Sequence, residues 1–384
     1  MANILNLKQL LTLALIILAL ATKSSTSTPS PSSSSSSSIT RVKGIYWLEN
    51  PFFPPSIIDT SLFTHIFYSF LTPNNNTFKL EISSSQILSL NTFTKTFKIK
   101  SPPAATLFSI GGAGSNSSLF AFIASDPTAR AAFINSTIDV ARTFGFDGID
   151  FDWEFPKNTK EMNDLGELLF QWRKAISEEG ASTGRPPLLL TAAVYFAVNF
   201  SIFGEPRMYP VNSINENLDW VNVMSYELHG ARSNKTGAPS GTFDPKSNVS
   251  VVSGLLSWIQ SGVVPEKLVM GMPLYGKSWK LRDPNVHGIG APSVGSGPGV
   301  NGGLMAYFQV LDFNRQTSAK VEYDVDTASV YSYSGSTWIG YDNPFTVSIK
   351  VGFAQALKLR GYFFWVAGLD TTDWKISTQG KLNI

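Results

Sequence analysis

From Val42 onward the chain shows short apolar runs rich in Val, Ile, Phe and Tyr, each followed by a polar or helix-patterned stretch. That is the pattern of βα units around a parallel sheet. It predicts eight strands, at 42–48, 64–71, 105–112, 148–154, 188–195, 220–227, 268–275 and 361–368, with helices at 127–144, 159–178, 249–261 and 346–359. Eight strand-helix repeats are what a closed barrel requires, and a closed barrel leaves no sheet edge exposed. The expected fold class is therefore α/β, a (β/α)8 TIM barrel. One long interval, from Gly276 to about Asp342, interrupts the series. It is dense in Gly, Pro and Ser at first, with aromatic strand-like pieces at 330–333 and 337–341 later. A structureless loop of that length is improbable, so residues 277–342 are expected to form a small α+β subdomain inserted after strand seven. Loops after barrel strands sit on the face where barrel sites lie, so the insertion should wall one side of a cleft.

The N-terminal pattern differs. A lone Lys8 precedes an apolar run of about 12 residues that ends in Ala19-Leu20-Ala21, which reads as a secretory signal over residues 1–21. A membrane span needs roughly 20 apolar residues, so no transmembrane anchor is expected. Residues 22–40 are nearly all Ser, Thr and Pro, with little to bury, and read as a flexible leader before a barrel domain over 41–384. Six Asn-x-Ser/Thr sequons, at Asn75, Asn116, Asn135, Asn199, Asn234 and Asn248, suit a glycoprotein of the secretory pathway. The expected destination is extracellular, with the vacuole as the alternative.

Composition narrows the chemistry. With 43% hydrophobic and 15% charged residues, the chain can bury a large core. A net charge of +2 without long basic runs argues against a nucleic-acid partner, and a monomer is expected. Cysteine is absent, which excludes disulfides, thiolate catalysis and Cys-ligated metal. The three histidines, His65, His229 and His287, are scattered without an i, i+4 pair, so no metal is expected. The Gly-rich stretch 288–303 lacks the Lys-Ser/Thr of a phosphate loop, and no cofactor is implied.

The informative segment is Phe146-Asp147-Gly148-Ile149-Asp150-Phe151-Asp152-Trp153-Glu154, where acids at 150, 152 and 154 alternate with large apolar residues. Residues two apart share a strand face, about 6.6 to 7 Å from one to the next. Ile149, Phe151 and Trp153 should then pack against helices while three carboxyl groups line up inside the barrel toward its mouth. Three desolvated charges would repel, so at least one carboxyl should hold a proton near neutral pH. Carboxyls with pKa values pushed apart are a usual source of a general acid.

With these residues the chain resembles the family 18 glycoside hydrolases, and among them the plant class V chitinases. The family pattern D-G-x-D-x-D-W-E stands complete as Asp147 to Glu154, and S-x-G-G as Ser109-Ile110-Gly111-Gly112. Further matches are Gly44-Ile45-Tyr46-Trp47, Phe63-Thr64-His65-Ile66-Phe67-Tyr68, Asp219 to Tyr226, and Gly361-Tyr362-Phe363-Phe364-Trp365, so the likeness covers nearly the whole chain from Gly44.

The resemblance implies hydrolysis of β-1,4 bonds in chitin or N-acetylglucosamine oligosaccharides by a retaining, substrate-assisted, endo-acting route. Glu154 would be acid and then base. Asp152 would hold the acetamido N–H, Asp150 beneath it would share a proton, and Tyr226 would donate to the acetamido oxygen. Trp365 would lie under the sugar at the cleavage point, with Tyr46, Phe70 and Met224 as walls and floor. The family usually has Asp after that tyrosine, whereas this chain has Glu227, which is expected to meet the substrate from one methylene further out and to alter rate or pH profile. Decorated oligomers, such as lipid-bearing signal molecules, are a variant substrate. The alternative reading is a non-catalytic chitinase-like lectin or glycosidase inhibitor that binds N-acetylglucosamine oligomers.

Overall fold

A computed structural model describes residues 41–201, 205–230 and 233–381. The secretory signal and the Ser-rich leader expected before Arg41 lie outside the described residues. The strands, in chain order, are β1 (Val42–Leu48), β2 (His65–Leu71), β3 (Ala105–Gly111), β4 (Gly148–Asp152), β5 (Leu189–Tyr195), β6 (Asn199–Phe200), β7 (Arg207–Met208), β8 (Trp220–Met224), β9 (Leu268–Pro273), β10 (Tyr275–Leu281), β11 (Ser293–Ser296), β12 (Leu304–Ala306), β13 (Lys320–Asp324), β14 (Ser329–Ser334), β15 (Thr337–Tyr341) and β16 (Gly361–Trp365). The helices are α1 (Ser84–Ile99), α2 (Ser117–Ser125), α3 (Pro127–Phe144), α4 (Thr159–Thr183), α5 (Val211–Asn217), α6 (Val251–Gln260), α7 (Tyr307–Gln316) and α8 (Pro344–Ala356).

Eight parallel strands close in the order β1-β16-β9-β8-β5-β4-β3-β2, so the fold is the (β/α)8 barrel that the hydrophobic pattern predicts. The seam joins first strand to last, from Val42 opposite Gly361 to Ile45 opposite Phe364. Each strand buries two faces. Ile149 and Phe151 of β4 join the large outer core beneath the helices, where Phe151 meets the rings of Phe120 and Trp172. The inner face of the barrel is filled by Val42, Tyr46, Phe67, Leu107, Trp220, Val269 and Phe363.

Helix starts follow side-chain caps. Asp126 caps α3 through the backbone N–H of Ala129, and Asn158 caps α4 through that of Glu161, each satisfying a donor that the first turn leaves free. The α4 helix runs beyond its expected end to Thr183, where Gly184 stops it in the left-handed region at φ 69°.

Between β9 and β16 lies a six-stranded antiparallel sheet with the path β11-β10-β15-β14-β13, β12 pairing with β10, and α7 accompanying it. Its root strand β10 begins two residues after β9 ends, so the inserted sheet stands directly on the rim of the barrel. No helix among the described residues is long and apolar enough to cross a membrane.

Five of the barrel strands, β3, β4, β8, β9 and β16, end earlier than the pattern predicts, and the differences at β4 and β8 matter for the site. The last pair between β3 and β4 is Gly111 with Asp152, so Trp153 and Glu154 lie past the ladder at the barrel mouth. The sixth barrel strand ends at Met224, because the N–H of Ser225 turns back to the carbonyl of Val223 at 2.8 Å instead of continuing the sheet. Tyr226 and Glu227 therefore stand on the loop that follows.

Candidate active site

The four residues of the acidic constellation, Asp150, Asp152, Glu154 and Tyr226, come together toward the C-terminal end of the barrel, close enough to perturb one another electrostatically. Asp150 is fully buried on β4. Its Oδ2 accepts from Ser109 Oγ at 2.7 Å and from the Tyr46 hydroxyl at 2.8 Å, and its Oδ1 from Thr191 Oγ1 at 2.6 Å and Asn222 Nδ2 at 3.2 Å. These donors come from β3, β1, β5 and β8. Asn222 is itself oriented, since its Oδ1 accepts from Trp220 Nε1 at 3.0 Å and its Nδ2 must then face Tyr46 and Asp150. Burial pushes the Asp150 carboxyl up, and all four hydrogen bonds oppose that shift. Four donors on one carboxylate suit its charged form.

Asp152 is the opposite case. It is 3% exposed, and its Oδ1 has no hydrogen-bond partner. Burial, then the charges of Glu154 and Asp150, hold its carboxyl well above the ordinary range. The resemblance joins Asp150 and Asp152 through a shared proton. In this conformation the Asp150 oxygens are taken by four other donors, and the electrostatics favour the proton on Asp152.

Glu154, half-buried past the strand end, has its carboxyl pushed up to about 7, first by burial and then by Glu227. Its two chain neighbours are tied to the first residue of α2: Trp153 Nε1 donates to Ser117 Oγ at 2.8 Å, and Ser117 Oγ donates to the Phe155 carbonyl at 3.2 Å. The S-x-G-G run has a physical reading here. Ser109 serves Asp150, while Gly111 and Gly112 both have positive φ, and Gly112 N donates to the Asp152 carbonyl at 2.9 Å. A Cβ on Gly112 would sit 2.7 Å from the Phe70 ring.

The aromatic residues separate by role. Trp365, at the end of β16, packs tilted against Tyr46 at 5.4 Å and Phe70 at 5.7 Å, and both it and Phe70 are half-buried, leaving ring surface at the mouth. Tyr46 is 1% exposed and stacked on Phe67 at 4.5 Å, so it contributes its hydroxyl and no free ring face. Met224 is half-buried at the end of β8 among the inner residues. Tyr226 packs edge-on to Phe363, with burial holding its hydroxyl protonated. Glu227 is exposed, and its Oε1 accepts from the Tyr275 hydroxyl at 2.9 Å and pairs with Lys277 Nζ at 3.2 Å.

Thr191, Asn222, Tyr275, Lys277 and Ser117 are not singled out by sequence reasoning. Asn222 lies within the matching stretch Asp219 to Tyr226 without a role being assigned to it, and the only signal for Thr191 is a polar side chain within an apolar strand run. Phe155, next in the chain after Glu154, belongs to a ring cluster in which it lies 5.3 Å from Tyr195, which lies 4.5 Å from Phe200. His65 is buried at the start of β2 against Thr64 and Trp220, away from the acids. No group of three or more His, Cys, Asp or Glu that could hold a metal ion occurs among the described residues.

A family model described as glycosyl hydrolases family 18 matches residues 34–370. The chain is 92% identical over 381 residues to the class V chitinase CHIT5b of Medicago truncatula, across 99% of this chain and 98% of that one. It is 78% identical over 385 residues to Nod factor hydrolase protein 1 of the same plant, across 99% and 98%. Among solved structures, a mutant class V chitinase of Nicotiana tobaccum in complex with NAG4 is similar at TM-score 0.85 and 39% identity, covering 88% of this chain and 97% of that one.

Proposed function

The chain belongs to family 18 of the glycosyl hydrolases and is a chitinase-type enzyme, and on that footing we propose that it cleaves β-1,4 bonds between N-acetylglucosamine units by a retaining, substrate-assisted mechanism. The observation that carries this reading is the division of labour among three carboxyls. Asp150 is fixed as an anion by four donors, Asp152 has an unpartnered oxygen, and Glu154 holds a proton up to about pH 7 at the open end.

In this mechanism Glu154 gives its proton to the glycosidic oxygen as the bond from that oxygen to the anomeric carbon breaks. The acetamido oxygen of the same sugar attacks the anomeric carbon from the opposite face, forming an oxazolinium ion. Asp152, two residues before Glu154, accepts the acetamido N–H through its unpartnered oxygen, and the Asp150 carboxylate beneath it balances the developing positive charge. The Tyr226 hydroxyl, kept protonated by burial, donates to the acetamido oxygen and fixes its line of attack. Glu154, now a carboxylate, takes a proton from water, whose oxygen attacks the anomeric carbon and opens the ring with the β configuration retained. Trp365 and Phe70 present apolar ring surface to the sugar faces, and Met224 and Glu227 border the same floor. Secretion of the chain belongs to the same reading.

A second substrate reading, decorated N-acetylglucosamine oligomers, is favoured by the 78% identity to a relative named for hydrolysis of Nod factors. The test incubates the protein and its Glu154→Gln variant with N-acetylglucosamine hexamer and with Nod factors, following products and their anomeric form. Cleavage by the wild type alone with the β anomer first supports the mechanism. Tight binding of the hexamer without cleavage by either protein would make the barrel a lectin-like module instead.

A further inference from the structure

Glu227 has a left-handed backbone, at φ 54°, that is uncommon outside glycine and carries a cost unless its surroundings hold it. What holds it comes from the inserted sheet. Tyr275 and Lys277 are two residues apart on β10 and so share one face of that strand, and both reach Glu227 Oε1. The strand is itself fixed on both sides, by β12 through Tyr275 opposite Ala306 and by β15 through Lys277 opposite Gly340. Lys277 is 6% exposed, and its ammonium also lies 5.9 Å from the Tyr275 ring. A buried lysine is costly unless it is paired, so the pair is an enforced arrangement and not a loose surface contact.

We propose that Lys277 is a positioning residue that fixes Glu227 and tempers its charge, so that the root strand of the inserted sheet sets the pH range over which Glu154 works. The inference rests on Glu154 being the acid. Glu154 feels Glu227 as the second contribution to its raised carboxyl, after burial. The other groups bearing on this centre are Asp150 and Asp152 on β4, Tyr46 on β1, Tyr226 on the loop after β8, Tyr275 on β10, and Tyr209 with Arg207 beyond β5. Among the described residues Lys277 is the cation paired with Glu227, so removing it leaves the negative field on Glu154 less compensated. The Glu154 carboxyl then keeps its proton to higher pH.

The test measures kcat/KM against pH with N-acetylglucosamine hexamer for the full chain and its Lys277→Met, Lys277→Arg and Glu227→Gln variants, with Glu154→Gln as control. Lys277→Met should move the alkaline limb up by roughly half a pH unit or more, Lys277→Arg should restore it, and Glu227→Gln should move it down by a similar amount. A merely structural lysine would change rate or melting temperature and leave the limb in place. An unmoved limb in Lys277→Met, or in Glu227→Gln should the first variant not fold, overturns the inference if Glu154→Gln is inactive. Activity retained in Glu154→Gln would instead overturn the acid assignment itself.

Discussion

Thr191 donates its hydroxyl to Asp150 Oδ1 at 2.6 Å from the strand beside the acidic one, completing a ring of four donors around a carboxylate with no solvent contact. A buried carboxylate that loses a donor is left with unsatisfied charge, which costs more than a neutral group would. Thr191→Val keeps the shape of the side chain and removes only this donor. We expect it to lower stability by about 1 to 3 kcal/mol at pH 7, read by urea unfolding, and to lower kcat more than it raises KM. Unchanged stability and kcat would mean that Asp150 does not depend on its charged form.

Glu154 links the site to stability through pH. Its carboxyl is raised from an ordinary 4.5 to about 7, so between those values the folded protein binds more protons than the unfolded one. The free energy of unfolding therefore falls as pH rises through that window. Glu154→Gln carries no titrating group there. The variant should be more stable than the wild type at pH 8, by on the order of 1 to 3 kcal/mol, and should lose that advantage at pH 4. Thermal unfolding at the two pH values decides it, and an equal difference at both would rule out a raised carboxyl.

The barrel is legible in the sequence because each parallel strand buried on two faces reads as a compact apolar run, and the β4 acids are legible because they break that run at every second position. Donors to Asp150 are another matter. Ser109, Thr191 and Asn222 lie 41, 41 and 72 residues from it, and only closure of the barrel brings them to one carboxylate. Tyr46 shows the same limit: a tyrosine on a first strand reads as a cleft aromatic, but only the stacked Phe67 beneath reveals that the hydroxyl is its working part. The ends of β4 and β8 are illegible for a local reason. Hydrophobic alternation continues through Glu154 and Tyr226, while the β3–β4 pairing has already ended at Gly111 and Asp152 and the Ser225 N–H has turned back to the Val223 carbonyl.

Gly112 marks where backbone shape sets the cleft. Its φ of 84° and the 2.7 Å approach of a hypothetical Cβ to Phe70 are independent obstacles to any side chain. Phe70 leans on Trp365, so a displaced Phe70 ring would disturb the sugar-facing surface directly. Gly112→Ala is expected to raise KM for the hexamer about tenfold, equivalent to about 1.4 kcal/mol, with a smaller change in kcat. A KM unchanged in the folded variant would show that Phe70 does not contact substrate.

The last prediction concerns the point where the inserted sheet rejoins the barrel. Lys350 on α8 and Asp342, just past β15, are each 1% exposed, and the ammonium lies 2.6 Å from both carboxylate oxygens. Ser240, on the long loop that also carries Tyr226 and Glu227, accepts from Lys350 at 3.1 Å and donates to Asp342 at 2.6 Å, while Thr346 donates to the other oxygen. Removing one member of such a pair strands a buried charge, whereas replacing both with apolar groups does not. Lys350→Met should therefore cost about 3 to 5 kcal/mol in urea unfolding, and the double variant with Asp342→Leu distinctly less. If the double variant is as unstable as the single one, the node holds the loop, the insertion and α8 by packing alone, and the stranded Asp342 charge is not the cause.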